Sequence, residues 1–513
     1  MTENMSIRAG RREWIGLAVL ILPTLLLSID VTVLHLAVPK LSADLRPSAS
    51  QLLWINDVYG FLIAGFLITM GAIGDRIGRR RLLLIGATAF ALASVLAAYA
   101  PDAGLLIAAR GLLGIAGATL MPSTLSLIRT MFHDPAQRTV AISLWMTGFT
   151  GGMVIGPLVG GVLLESFWWG SVFLLGVPVM VVLLVAGPLL LPEYRDPNPG
   201  RLDLVSVALS LAAVISAIYG IKEIAAYGPG TAPVLALAAG LALGAVFVRR
   251  QRRLADPLLD LKLFAERRFS SALGTLMLVI LVGPGVMLLT AQYMQLVAGL
   301  TPLQAGLWTL PQTAAVVLGF MVSPALARRI RPGSVMAGGL VVAAVGVGLL
   351  VGAGSGSGPA FVVVAQVLFF VGASPLLVLG TDLVVGSAPP ERAGAASALS
   401  ETVQEFGGAL GLAVFGSIAA AVYRAQVVVP EGVPAGLGES ARDTLGAAAD
   451  AAARLSDPAA TALLTAARAA FTDALQVTAV VGAVIVALTA VLAAVILRPV
   501  AETPETEKAD VPV

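Results

Sequence analysis

Fourteen apolar runs, each long enough to cross a bilayer as helix, fill most of this 513-residue chain. They cover 14–38, 51–73, 82–100, 103–129, 137–163, 169–191, 204–220, 232–248, 269–297, 303–327, 334–353, 359–381, 394–421 and 470–497. Crossing about 30 Å of hydrocarbon takes about 20 apolar residues as helix. No water is present there to satisfy peptide groups, so each run must satisfy them within itself, and only helix does so repeatedly. Composition agrees: 58% of the residues are hydrophobic and 12% charged, where a soluble domain carries about 25% charged residues. The sequence therefore predicts an all-α polytopic membrane protein with 14 transmembrane helices.

Charge placement predicts how these helices are threaded, because Lys and Arg concentrate in cytoplasmic loops. Of 32 basic residues, Lys40, Arg46, Lys222, Arg424, Arg442, Arg454 and Arg468 fall on one side and Arg110 lies within a run. The remaining 24 fall on the side of the N-terminus. Both termini are expected in the cytoplasm, and an odd number of spans would break this alternation. Run 14–38 is not expected to be a cleaved signal. It is too long, carries Asp30 and His35, and lacks a small-residue cleavage site.

Several function classes fall away. The pI near 9.0 reflects basic residues scattered over short loops, not a nucleic-acid surface. With no Cys there is no disulfide framework and no thiolate metal site. No G-x-x-x-x-G-K-[ST] string occurs, so ATP bound by this chain is not expected to supply energy. No nucleophile–base pair or metal cluster supports an enzyme or a receptor. The 4 Lys against 28 Arg, with abundant Ala and Gly, fit a high-GC bacterial genome.

Two motifs carry conformational chemistry. Gly71-Ala72-Ile73-Gly74-Asp75-Arg76-Ile77-Gly78-Arg79-Arg80-Arg81 stands between the second and third runs. A tight Gly-rich turn with one acid and a basic cluster suits a cytoplasmic hinge, whereas a plain stop signal needs neither the Asp nor the glycines. In the fifth run, Gly148, Gly151-Gly152, Gly156-Pro157 and Gly160-Gly161 place small residues at i, i+4, i+8 and i+12. Such a face lets a neighbouring helix approach closely, and the Gly-Pro step weakens the helix locally.

Ionisable groups inside spans are costly and face a cavity or a partner. Here they are Asp30, His35, Asp57, Arg110, Glu401 and Glu405. Counting along helices puts Asp30, Asp57 and Arg110 roughly 9–12 Å below the outer surface. Two carboxylates and one guanidinium leave a charge that one proton would neutralise, either as a proton switch or as an ion pair pinning helices. Glu401 and Glu405 share a helix face, four residues apart, roughly 10 and 16 Å from the cytoplasmic end. They suit a lipophilic cation, a proton, or both in alternation; alternatively one acid keeps the vestibule wet. His35 is a cavity-lining polar residue or a relay.

The 71–81 loop resembles the G-x-x-x-D-R-x-G-R-[RK] signature of the major facilitator superfamily, between its helices 2 and 3. The fifth run is similar to the G-x-x-x-G-P-x-x-G-G element of drug antiporters in that superfamily. Asp30-Val31-Thr32-Val33 through Ala37-Val38-Pro39 resembles the D-x-T-V…A-x-P motif of its fourteen-helix drug:proton antiporters, and Arg110-Gly111-Leu112-Leu113-Gly114 with Gly117 matches their fourth-helix element. Ser400-Glu401-Thr402 to Glu405 and Gly407-Gly408 resembles the acidic helix 13 of QacA- and LfrA-like exporters. The likeness covers nearly the whole chain and is greatest over 14–200. His35 departs from the Asn or small apolar residue expected there, and a carboxylate expected in helix 10 is missing.

That resemblance implies a major facilitator fold of two six-helix halves plus two inserted helices. Residues 1–200 would form the first half, 201–268 the inserted pair and a cytoplasmic linker, 269–497 the second half, and 498–513 a cytoplasmic tail. Ala327-Arg328-Arg329-Ile330-Arg331-Pro332-Gly333 reads as a weakened copy of the 71–81 loop, without its Asp. Residues 257–266 are expected to form an amphipathic surface helix anchored at lipid headgroups. External residues 422–469 are expected to hold two short helices, joined by a turn at Asp457-Pro458, which either cover the outer mouth or sit as a passive insertion. The implied activity is proton-coupled multidrug efflux of hydrophobic, preferably cationic compounds by alternating access. Its partners are the lipid bilayer, protons and drugs, with no nucleic acid and no cofactor beyond the proton gradient; it is a monomer of the bacterial inner membrane. Proton coupling falls to Asp30, Asp57, Arg110 and Glu405; substrate binding to Asp30, Asp57, Glu401, Glu405 and His35. Conformational change falls to Gly71, Asp75, Arg76, Gly78, Arg79, Arg80, Gly148, Gly152, Gly156, Pro157 and Gly160. The alternatives are a dedicated exporter of one antibiotic or secondary metabolite, or a proton-driven importer.

Overall fold

The computed structural model describes residues 8–195 and 203–496, except 48, 229, 255, 256, 260, 301, 355, 390 and 391. Its helices are α1 (Arg11–Leu45), α2 (Ala49–Ile77), α3 (Arg79–Ala98), α4 (Ala103–Met131), α5 (Pro135–Ser166), α6 (Ser171–Leu174), α7 (Gly176–Leu190), α8 (Leu204–Tyr227) and α9 (Thr231–Gln251). There follow α10 (Arg267–Gln292), α11 (Pro302–Trp308), α12 (Leu310–Ala327), α13 (Pro332–Leu349), α14 (Pro359–Ser387), α15 (Ala393–Gln426), α16 (Ala435–Asp443), α17 (Leu445–Ala452) and α18 (Ala459–Ile496). Among the described residues 14 stretches are long and apolar enough to cross a membrane, one for each apolar run; α6 with α7, and α11 with α12, each make a single span.

Polar residues set the boundaries. Asp102 begins α4 by accepting from Leu105 N at 2.9 Å, and Asp134 begins α5 by accepting from Gln137 N at 3.0 Å with Pro135 in the first turn. These caps satisfy donors that a helix start leaves open. Gly78 separates α2 from α3 at φ 108°, a backbone state an L side chain rarely adopts. Lys40 donates to the Leu164 carbonyl near the end of α5, where a cation complements the helix dipole.

Buried apolar side chains gather in two main clusters, one from α1 to α7 and one largely from α10 to α18. Each borrows from across the seam. Ile68 and Ala72 of α2 belong to the second cluster, whereas Phe320, Val378 and Val385 of α12 and α14 belong to the first. The helix α8 packs on α9, α2 and α15, and a small cluster of Phe61, Ala64 and Ile218 sits at that junction.

Two local expectations fail. Among the described residues of 257–266 only a 3-10 turn forms, Leu261–Ala265. Leu258, Leu259 and Leu263 are buried, not facing lipid, and the N–H groups of Leu258 and Leu259 both donate to Gln251 Oε1. A side-chain acceptor and a buried leucine cluster thus outcompete a surface helix. The external segment also differs. Its two short helices are α16 and α17, divided at Thr444, which caps α17 through Ala447 N at 3.1 Å. The Asp457-Pro458 turn leads directly into α18, because the Ala-rich run after it continues the last span without a break.

Candidate functional site

Arg110 lies two turns into α4 and is 1% exposed. Its Nη1 pairs with Asp30 Oδ2 of α1 at 2.6 Å, and its Nε donates to the Ile55 carbonyl of α2 at 3.2 Å. The guanidinium stands 4.4 Å from the centre of the Tyr59 ring. A buried guanidinium needs such a shell, since its five donors cannot lose their charge. The glycines of α5 bring α1 into this position. A Cβ at Gly148 would overlap Ile21, one at Gly152 would overlap Ser28 Oγ and the Leu25 carbonyl, and one at Gly156 would overlap Thr32 Oγ1. At Gly160 a Cβ would lie 3.0 Å from Val33. The i, i+4, i+8, i+12 track of the sequence is therefore the bed of the helix that carries Asp30. The side chains of Asp57, His35 and Pro157 lie outside the described residues.

The second pair of acids sits on α15. Glu401 is buried at 6% exposure, and among the described residues its Oε1 has no hydrogen-bond partner. Glu405, one turn on, is exposed. Gly411 lets α15 approach α10, since a Cβ there would overlap the Leu281 carbonyl. The two halves of the site meet electrostatically: Tyr59 lies in the field of Asp30, Arg110 and Glu405 alike. Its hydroxyl has no partner among the described residues. Tyr59 Oη and Glu401 Oε1 are thus two buried oxygens, without hydrogen-bond partners among the described residues, that a ligand's polar groups could satisfy.

The 71–81 motif, which is the end of α2 and the start of α3 about Gly78, closes one seam. Asp75 Oδ1 accepts from Gly394 N at 3.1 Å and Oδ2 from Ala395 N at 3.0 Å, at the start of α15. Arg79 pairs with the same carboxylate at 2.9 Å. An acid at a helix N-terminus meets both open donors and the positive end of the dipole. Close packing supports it, for a Cβ at Gly71 would lie 2.6 Å from the Gly394 carbonyl oxygen. Arg76 donates back to Ala72 O at 3.0 Å. Glu193 accepts from Arg80 N and Arg81 N at 3.2 and 3.1 Å, and a Cβ on Gly78 would lie 2.6 Å from its Oε1.

A second seam closes through residues the sequence reading missed. Arg138 Nε of α5 meets Asp382 Oδ1 of α14 at 2.5 Å, and Thr139 Oγ1 donates to Asp382 Oδ2 at 2.7 Å. Arg129 of α4 reaches the Gly386 carbonyl at 3.3 Å, and Ser143 donates to the Phe320 carbonyl. Asp382 fell one residue beyond the twelfth apolar run as drawn; Val384-Val385 after it were the signal that α14 continues.

The major facilitator superfamily model matches residues 20–412. The chain belongs to the major facilitator superfamily. Within this superfamily it is similar to the multidrug efflux pump LfrA of Mycolicibacterium smegmatis, 45% identical over 96% of this chain and 97% of that protein. It is also similar to the methyl viologen resistance protein SmvA of Salmonella typhimurium, 35% identical over 90% and 93%. The tetracenomycin C resistance and export protein of Streptomyces glaucescens is 31% identical over 80% of this chain and 76% of its own. Among solved structures, the human organic anion transporter MFSD10 shares the fold with a TM-score of 0.58 at 16% identity, over 92% of this chain and 99% of that one. The fold is thus the all-helical major facilitator fold, and the chain is a multi-span membrane protein of a transporter superfamily.

Proposed function

We propose that this protein is a proton-coupled multidrug efflux antiporter of the bacterial inner membrane, exporting hydrophobic, preferably cationic compounds by alternating access. The observation that carries the reading is the Asp30–Arg110 pair at 2.6 Å, with the Tyr59 ring 4.4 Å from the guanidinium and its buried hydroxyl without a partner among the described residues. A carboxylate already held by a guanidinium can exchange its partner for a proton when a helix moves, and exposed Glu405 can meet a cationic ligand. The proton gradient would supply the energy, and the chain would act as a monomer with both termini cytoplasmic. Residues 1–200 and 269–497 would rock as two halves about the site, with 201–268 as the inserted pair. In this orientation both seams would close the cytoplasmic side.

Similarity to multidrug and methyl viologen resistance proteins over nine-tenths or more of the chain supports broad, cation-preferring export. A dedicated exporter of one secondary metabolite is the second reading, supported by the tetracenomycin C export protein. The test is uptake of several fluorescent cations into inverted vesicles. Quenching that needs an inside-acid gradient and covers structurally unrelated dyes supports the proposal. Uptake without any ion gradient would sink the coupling, and transport of a single compound class would favour the second reading.

A further inference from the structure

The end of α12 carries Ala327-Arg328 where the end of α2 carries Asp75-Arg76. At the first seam the Asp75 carboxylate fills the space against the start of α15. At the second, Ala327 brings no carboxylate, and a cavity of about 610 Å3 opens beside it against Pro135 and Ala136 at the start of α5. Three arginines line this cavity: Arg138, Arg268 and Arg328. Arg138 uses only Nε on Asp382; its two Nη groups make no hydrogen bond among the described residues, and neither do the side chains of Arg268 and Arg328. Two acids also line it, Asp382 and Glu266. Both oxygens of Asp382 are already taken, by Arg138 and Thr139. Charges of three against two leave one cation uncompensated, with unused donors in a fork geometry that fits a phosphate.

The position of the cavity narrows the occupant. It lies where α10 and α13 begin and where α12 and α14 end, the level at which membrane helices meet headgroups. Just beyond it, Leu318, Met321 and Val322 of α12 are exposed, so an apolar strip continues outward from the arginines. A phosphate anion is common to lipid headgroups and to free phosphate compounds, but only a lipid also covers that strip. We propose that the cavity at the α5–α12–α14 seam binds the headgroup of an anionic phospholipid, whose phosphate occupies the place that Asp75 fills at the other seam. One such lipid would touch Arg138 of α5 and Arg328 at the end of α12, and so tie the two sides of the seam together. The site is independent of what the protein transports.

The test is native mass spectrometry of the full chain, purified with equal phosphatidylglycerol and phosphatidylcholine of identical acyl chains. The wild type should retain phosphatidylglycerol over phosphatidylcholine by roughly fivefold, as one uncompensated cation at a membrane surface would give. Arg268→Gln with Arg328→Gln should abolish the preference. Ala327→Asp, which restores a carboxylate to the cavity and leaves every arginine in place, should abolish it too, so a folding defect in the first variant does not spoil the test. Millimolar inorganic phosphate should leave the lipid bound. Equal retention of the two lipids, a preference that survives both variants, or displacement by inorganic phosphate would each overturn the assignment.

Discussion

The carboxylate of Asp75 lies so close to the backbone of Gly394 that a Cβ on that glycine would overlap Oδ1. The latch therefore has two components, a charge on α2 and a missing side chain on α15. Asp75→Asn and Gly394→Ala should fail in the same way, one by removing the charge and the other by pushing it off the helix end. A hydrogen bond to a charged group contributes about 1.5–3 kcal/mol, so losing the latch should lower initial efflux rates on the order of tenfold or more. Membrane abundance should stay normal. Wild-type rates in both variants would reduce the loop to a topology signal.

At the other seam the pair Arg138–Asp382 predicts a recoverable charge swap. Asp382→Arg alone would set two guanidinium groups together, and Arg138→Asp alone would set two carboxylates. Combining them restores opposite charges between α5 and α14. A double-mutant cycle on thermal unfolding in detergent should give a coupling of about 0.5–3 kcal/mol. Additive losses would show that the contact holds nothing closed.

Much of this was legible beforehand because membranes leave few options. The fourteen apolar runs correspond to the fourteen spans, and the α5 glycines announced a helix packed on their face, which is α1. The reading failed where packing, not period, decides. Residues 257–266 have the charge pattern of a surface helix, but Gln251 and three buried leucines pin them as a short turn. Asp382 was lost because an apolar run has no sharp edge, and the acid sits at one. Glu401 and Glu405 share a face in sequence, yet only the structure separates the buried one from the exposed one.

The corrected external segment yields a prediction about stability. Leu445, Ala448, Ala451 and Ala452 of α17 are buried in the same cluster as Leu463 and Ala467 of α18, and Tyr423 Oη donates to the Ala441 carbonyl at 2.8 Å. Replacing 435–452 with a Gly/Ser linker should therefore uncover α18 and lower the unfolding temperature, as well as alter efflux. Leu445→Ala alone should cost about 2–5 kcal/mol if the site cannot collapse. An unchanged melting temperature in the linker variant would make the segment a passive insertion.

The α8–α9 hairpin should ignore physiological pH. Hydrogen bonds from Arg250, at 2.7 and 3.1 Å, and from Ser206 hold Asp203 down to about 2. A carboxyl depressed in the folded state contributes stability above its unfolded value, and that contribution is lost only as pH falls through about 2. Between pH 8 and 5 the pair stays ionised in folded and unfolded chains alike. Asp203→Asn should leave the pH profile of efflux unchanged in shape over that window. A shifted profile would implicate this pair in coupling.

The two acidic groups at the candidate site should divide the labour of transport. Asp30 is tied to Arg110, and the Asp30→Asn variant leaves a buried guanidinium without its counter-charge. Breaking such a pair costs about 3–5 kcal/mol, and the lost carboxyl is one that every transport cycle would use. Export of all substrates should fall together, whatever their charge. Glu405 is exposed and one turn from buried Glu401, so Glu405→Gln removes a charge from a wall that a ligand can touch. Dications should lose most, by on the order of tenfold or more, and neutral compounds least, because desolvated charge pairs are worth several kcal/mol. Tyr59 lies in the field of both acids, so Tyr59→Phe should perturb both behaviours mildly without abolishing either. The measurement is initial efflux of matched neutral, monocationic and dicationic dyes in the three variants at equal membrane abundance. Identical substrate profiles for Asp30→Asn and Glu405→Gln would refute the division and leave proton and drug competing for one shared site.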